Sequence, residues 1–137
     1  MNERIKDKIE QIEKFLQELS EMVPKSLEEY KKDFIRKAAC ERYVEKIIEA
    51  MLDLTFLIIR FKSFKNPEDE ENSLAILYEN KIISKDLSEN LRKAKGMRNV
   101  IVHEYGMIDD EKIFHAVYKE LEKDMKEFIK SIELSLR

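Results

Sequence analysis

A chain of 137 residues is long enough for one domain with a modest core, and 43% hydrophobic with 40% charged residues makes it too apolar for disorder and too charged for a membrane protein. A formal net charge of −3 excludes a broad basic field, so any grip on RNA must come from a local basic groove. No apolar run reaches bilayer length, and the amphipathic start Met1-Asn2-Glu3-Arg4-Ile5 has no signal-peptide core, which together predict a soluble, cytoplasmic protein.

The first helix is predicted from about Asn2 to Glu21. Ile5, Ile9, Ile12, Leu16 and Leu19 recur at steps of three and four and form one buried stripe, and Pro24 ends it. Ser26-Leu27-Glu28-Glu29 has the form of a capping box. It opens either a short helix that breaks near Asp33 or one long helix to about Lys65. That second long element carries Cys40, the lone cysteine, which can form no internal disulfide and reads as a buried thiol. From Met51 to Phe61 the sequence is apolar nearly all round, and such a helix must be covered on every side. A domain this small has little room for an internal helix, so a second subunit is expected to cover part of it, and the protein is expected to be a homodimer.

Asn66 to Asn72 is predicted as an acidic surface loop, and Ser73 to Asn80 as a short helix. Ser84 is a plausible N-cap for the next helix, with Asp86 in its first turn. Val100-Ile101-Val102 is a β-branched run, but one strand would have no partner here, so it is assigned to helix. Gly106 is assigned as that helix's C-cap, and Asp109 as the N-cap of a last helix to about Leu136. The buried stripe of that helix is Phe114, Val117, Leu121, Met125, Phe128, Ile132 and Leu136. Two glycines and two prolines fit few turns. The predicted fold is all-α, an up-and-down bundle of four or five helices forming one domain over residues 1–137.

The chemistry concentrates in Arg98-Asn99-Val100-Ile101-Val102-His103-Glu104-Tyr105. On a helix Asn99 and His103 share a face, and Arg98 and Tyr105 nearly superpose. Arg98 and His103 differ by about 140°, so they converge only if the helix deforms or ends near His103, or if a two-fold partner supplies a second copy of each. The side-chain types suit RNA cleavage by the 2′-hydroxyl. Histidine titrates near neutrality and serves as general base or acid. Arginine stays charged and offers a fork of donors to a phosphate. Asparagine can orient either, and tyrosine can donate a hydrogen bond or stack on a base. His103 and His115 without clustered cysteines make a metal site unexpected, and no cofactor is required.

The spacing of Arg98, His103 and Tyr105, with Asn99 after the arginine, resembles the signature of the HEPN superfamily, and specifically its HepT-like toxin branch. Ala39-Cys40-Glu41-Arg42, with Glu45 and Glu49-Ala50, is similar to a second helix motif of HepT-like proteins. It departs from that motif at Cys40, where valine is usual, and at Ile48, where glycine is usual. The resemblance implies an all-α dimer whose motif residues face each other across a shared groove. It also implies a metal-independent endoribonuclease toxin, neutralised by a minimal nucleotidyltransferase antitoxin. Carried onto this chain, Arg98 and His103 are the catalytic pair, Asn99 a positioning residue, and Tyr105 a binding residue and adenylylation target. A non-catalytic HEPN protein that docks a nucleotidyltransferase or a nucleotide is the alternative.

Other residues carry two readings each. Asp53, in the most apolar run, pairs with Arg98 or across a dimer, or else sits on a residual exposed face. Arg42 with Glu45 or Glu49 forms ion pairs rather than an RNA contact. Arg92, Lys93 and Lys95 form a phosphate track or a solvated face. His115 is expected to be exposed.

Overall fold

The computed structural model describes residues 2–137, except for the side chain of Tyr105. The described residues are all helical or in turns. The first helix, α1, runs Glu3–Met22, with the Asn2 side chain accepting from the Arg4 and Ile5 amides. Its stripe of Ile5, Ile9, Ile12, Leu16 and Leu19 is buried as the periodicity predicts. Helix α2, Leu27–Lys32, starts at Ser26, whose hydroxyl accepts from the Glu29 amide at 3.2 Å. Glu29 reaches back to the Lys25 amide at 3.2 Å, one residue earlier than in a standard capping box.

The chain then breaks at Asp33 (φ −96°, ψ 86°), and the Asp33 carboxylate caps α3, Phe34–Phe61, at the Arg36 amide. Of the two arrangements open from sequence, the short helix is the one formed. Within α3, Cys40 is fully buried, and burial first, then the neighbouring Glu41 charge, pushes its thiol up to about 11. It is therefore a neutral core group, as expected.

The single chain covers most of the apolar stretch of α3, but Phe56 and Leu57 are only half-buried and Phe61 is 51% exposed. Met51, Leu52, Leu54, Ile58 and Ile59 are at most 2% exposed within the single chain. Helices α1, α4 (Glu70–Glu79) and α5 (Lys85–His103) supply that cover. Thr55, buried among them, is satisfied by donating to the Met51 carbonyl at 2.9 Å. Three neighbouring helices enclose one side of this stretch, and Phe56, Leu57 and Phe61 form the part they leave uncovered.

The acidic stretch also differs from expectation. The loop ends at Asp69, which caps the Asn72 amide at 2.7 Å, and Glu70 and Glu71 form the first turn of α4. Carboxylates there complement the helix dipole, so the charge run marks a helix start as well as a turn. Ser84 caps α5 at the Leu87 amide, as predicted. Val100, Ile101 and Val102 are helical. Gly106 is not the cap of α5. The Glu104 amide closes the helix on the Val100 carbonyl at 2.9 Å, and Gly106 lies in a one-turn 3-10 helix, Tyr105–Met107, with no positive φ.

Asp109 caps α6, Asp110–His115, which passes through a π-helical turn, Ala116–Glu120, into α7, Leu121–Ser135. The predicted stripe is buried from Phe114 to Ile132, and Leu136, just past the helix, is half-buried. Helix α1 packs on α3, α3 on α5, α5 on α7, and α7 back on α1, closing a four-helix bundle. The short α2 is laid against α3 and α6, and α4 against α3 and α5. Among the described residues no helix is long and apolar enough to cross a membrane.

Candidate active site

Helix α5 positions the candidate residues on different sides. Its buried stripe of Leu87, Leu91 and Ile101 continues through Arg98, which lies seven residues after Leu91. Arg98 is accordingly turned inward, toward the start of α4. Its Nη2 donates to Glu70 Oε1 at 2.8 Å, its side chain is 11% exposed, and its Nε is buried without a partner. A buried guanidinium needs a counter-charge, and Glu70 supplies it.

His103 is the last residue of α5 and is exposed, and Asn99, one turn earlier, is half-buried. Neither side chain makes a hydrogen bond among the described residues. They share a face, as the spacing predicts. The helix stays regular and ends at His103, so of the expected routes the helix end is present and a mid-helix deformation is not; Arg98 and His103 make no hydrogen bond with each other among the described residues.

Upstream on the His103 face lie exposed Arg92 and Gly96 and half-buried Lys95, at steps of three and four. They form a local cationic strip in an acidic protein. Beside it, Gly96, Met97, Val100, Met107, Ile108 and Ile113 line a largely apolar groove of about 610 Å³, whose charged lining is mixed: Lys93 and Lys112 with Asp109 and Glu120. The side chain of Tyr105, expected to complete the site, lies outside the described residues.

Asp53 does not support this site. It sits on the outer face of α3, its side chain 65% exposed, and pairs with Lys8 of α1 at 3.5 Å. The residual exposed face is therefore the correct reading, and the pairing with Arg98 is overturned. The residue that does meet Arg98, Glu70, was missed. The signal was present in Asp69-Glu70-Glu71, but reading those acids as loop concealed that a helix start points one of them inward. Arg42 pairs with Glu45 at 2.7 Å on the helix surface, and His115 is exposed beside Glu111, both as expected. Glu41, of the same motif, is held above the usual carboxylate range by burial, with Lys37 opposing and Asp110 adding to the effect. Among the described residues no three of His, Cys, Asp and Glu cluster as a metal site would require.

Comparison with known proteins covers nearly the whole chain. The model of the family described as ribonuclease HepT-like matches residues 5–132. The mRNA nuclease HepT of Shewanella oneidensis is 29% identical over 133 residues, spanning 97% of this chain and 98% of that protein. The tRNA nuclease HepT of Aphanizomenon flos-aquae is 28% identical over 114 residues, spanning 82% and 77%. Among solved structures, a tri-AMPylated Shewanella oneidensis HEPN toxin in complex with MNT antitoxin superposes with a TM-score of 0.90 at 28% identity, over 98% of this chain and 99% of that one. With a matching family over almost its full length, the four-helix bundle those proteins share, and the arginine–histidine motif on α5, the chain belongs to the HepT-like ribonuclease family.

Proposed function

We propose that this chain is a homodimeric, metal-independent endoribonuclease toxin of the cytoplasm, with Arg98 and His103 as its catalytic pair and a nucleotidyltransferase as its antitoxin. The observation that carries the reading is the division of labour on α5. The helix exposes His103 at its end and turns Arg98 inward, against Glu70. His103 accepts the proton of a ribose 2′-hydroxyl, and the freed oxygen attacks the adjacent phosphorus. The bond to the 5′-oxygen breaks, and that oxygen takes up a proton as it leaves. The Arg98 guanidinium stabilises charge on the phosphoryl oxygens in the transition state. The products are a 2′,3′-cyclic phosphate and a 5′-hydroxyl. Arg92 and Lys95 give the RNA backbone a cationic approach along the same face.

Because Arg98 and His103 diverge on one helix, a complete site takes residues from two copies related by a two-fold axis. The apolar groove beside the motif supports pairing there, and so does Met107, which is 74% exposed. Gly96 supports it too. Glycine inside a helix costs about 0.5–1 kcal/mol relative to alanine. Yet a Cβ at Gly96 would meet nothing within 4 Å in this chain. The missing side chain therefore leaves room for another molecule rather than for the fold.

Gel filtration with light scattering is expected to give about twice 16.4 kDa for the wild type. Gly96→Arg is expected to give a monomer with an unchanged or higher melting temperature and no RNase activity. A wild-type monomer at micromolar concentration, or a Gly96→Arg dimer, would overturn the shared site. The toxin and antitoxin roles rest on similarity to the toxin complexes. Co-expression with the neighbouring reading frame tests them, with relief of growth arrest as the expected result.

A further inference from the structure

The geometry points to Glu70 as the positioning residue of Arg98, a role that rests on the catalytic reading of Arg98 and goes one residue beyond it. Arginine works on a phosphate through a planar fork of donors, and the fork is useful only if its plane and reach are fixed. Arg98 lacks fixing from most directions. Its stem lies in the α4–α5 contact, its Nε is buried with nothing to bond, and its side chain is 11% exposed. The one polar contact that sets the guanidinium's orientation among the described residues is Nη2 to Glu70 Oε1, at 2.8 Å.

Glu70, whose side chain is 45% exposed, is favourably placed at its backbone. It is the first residue of α4, directly after the Asp69 cap, where the helix dipole favours a carboxylate. Its neighbour Glu71 has the same dipole but is exposed and makes no such contact, so stabilising a helix start does not by itself account for Glu70 reaching Arg98. The carboxylate occupies one hydrogen of Nη2 and, with Nε buried, leaves the other Nη2 hydrogen and the two on Nη1 for a phosphate. Losing it frees the guanidinium to rotate, so the loss is felt when the transition state must be met in one orientation, more than when RNA is first bound.

The test is steady-state cleavage of a labelled mixed-sequence single-stranded RNA by the purified wild type and by Glu70→Ala, Glu70→Gln and Arg98→Ala, alongside thermal melting. Glu70→Ala is expected to lower kcat by about 10- to 100-fold, the range for losing a group that orients a working ligand, with KM changed by less than about twofold. Glu70→Gln, whose amide oxygen still accepts from Nη2, is expected to recover most of that loss. Wild-type kcat in Glu70→Ala overturns the proposal. So does an equal loss in Glu70→Ala and Glu70→Gln that tracks a fall in melting temperature, because that is a purely structural role. If Arg98→Ala itself cleaves normally, the catalytic reading of Arg98 fails and the positioning role falls with it. Full dependence on Arg98 with no dependence on Glu70 overturns only the latter.

Discussion

His103→Ala is expected to abolish RNA cleavage while the protein folds normally. The imidazole is exposed at the end of α5 and makes no side-chain hydrogen bond among the described residues, so its removal takes away no packing. Surface changes of this kind alter stability by about 0.5 kcal/mol or less. The catalytic loss is far larger, about 10²- to 10⁴-fold for a general acid–base group. Arg98→Ala is expected to cost about 10²- to 10³-fold through lost charge stabilisation in the transition state. It also strands Glu70 and opens space in the α4–α5 contact, so Arg98→Lys is the cleaner variant. Lysine keeps the charge and most of the stem but loses the planar fork, and cleavage is expected to fall while the melting temperature holds. Single-turnover cleavage beside circular dichroism decides this. If both variants bind the antitoxin and RNA normally and the wild type cleaves nothing, the protein is a binding module instead.

The second large effect expected is covalent silencing at Tyr105. The α5 helix has already ended at His103, and Tyr105 opens a one-turn helix whose other residues, Gly106 and Met107, are exposed. A backbone in that setting is open to another protein. The relative that superposes on this chain is AMPylated in complex with MNT antitoxin. In the reaction proposed here, the tyrosine oxygen attacks the α-phosphate of ATP bound with Mg²⁺ on the partner. Its proton passes to a base there, and pyrophosphate leaves. The attached AMP places an anion two residues from His103, where it repels incoming RNA phosphate. Incubation with partner, ATP and Mg²⁺ is expected to add adenylyl mass on the Tyr105 peptide, with RNase activity falling in step. Tyr105→Phe is expected to keep cleaving and to escape this inactivation. Equal silencing of that variant by partner catalysis would place the switch elsewhere.

The helical stripes show what was legible in the sequence. Ile5 through Leu19 and Phe114 through Ile132 declare their buried faces by spacing alone, and the caps at Ser26, Ser84 and Asp109 follow from side-chain chemistry with short reach. The failures are of a different kind. Asp69-Glu70-Glu71 reads equally as loop or as helix start, because acids suit both settings. How much of Met51–Phe61 is enclosed within one chain depends on the helices around α3, which is a property of the bundle and not of the helix; Phe61 stays 51% exposed. Gly106 looked like a cap because glycine usually is one, but the Glu104 amide closes α5 first.

The site divides in the same way. Asn99 and His103 share a face that helical period alone dictates. Arg98 turns inward on α5, but the partner expected for it was Asp53, 45 positions back on α3. The partner is Glu70, 28 positions back, because α4 folds onto α5 there. Long-range pairing of charges is set by how helices cross, and one-dimensional spacing does not encode it.

The central claim is cleavage by the ribose 2′-hydroxyl with protein groups alone, and the nature of the new RNA ends tests it most directly. Wild-type protein freed of metal and held in EDTA should cut a defined single-stranded RNA at an undiminished rate. Mass spectrometry of the fragments should find 2′,3′-cyclic phosphate or 3′-phosphate opposite 5′-hydroxyl. Cleavage that stops with EDTA and returns with added divalent cation, or fragments ending in 3′-hydroxyl and 5′-phosphate, would contradict it.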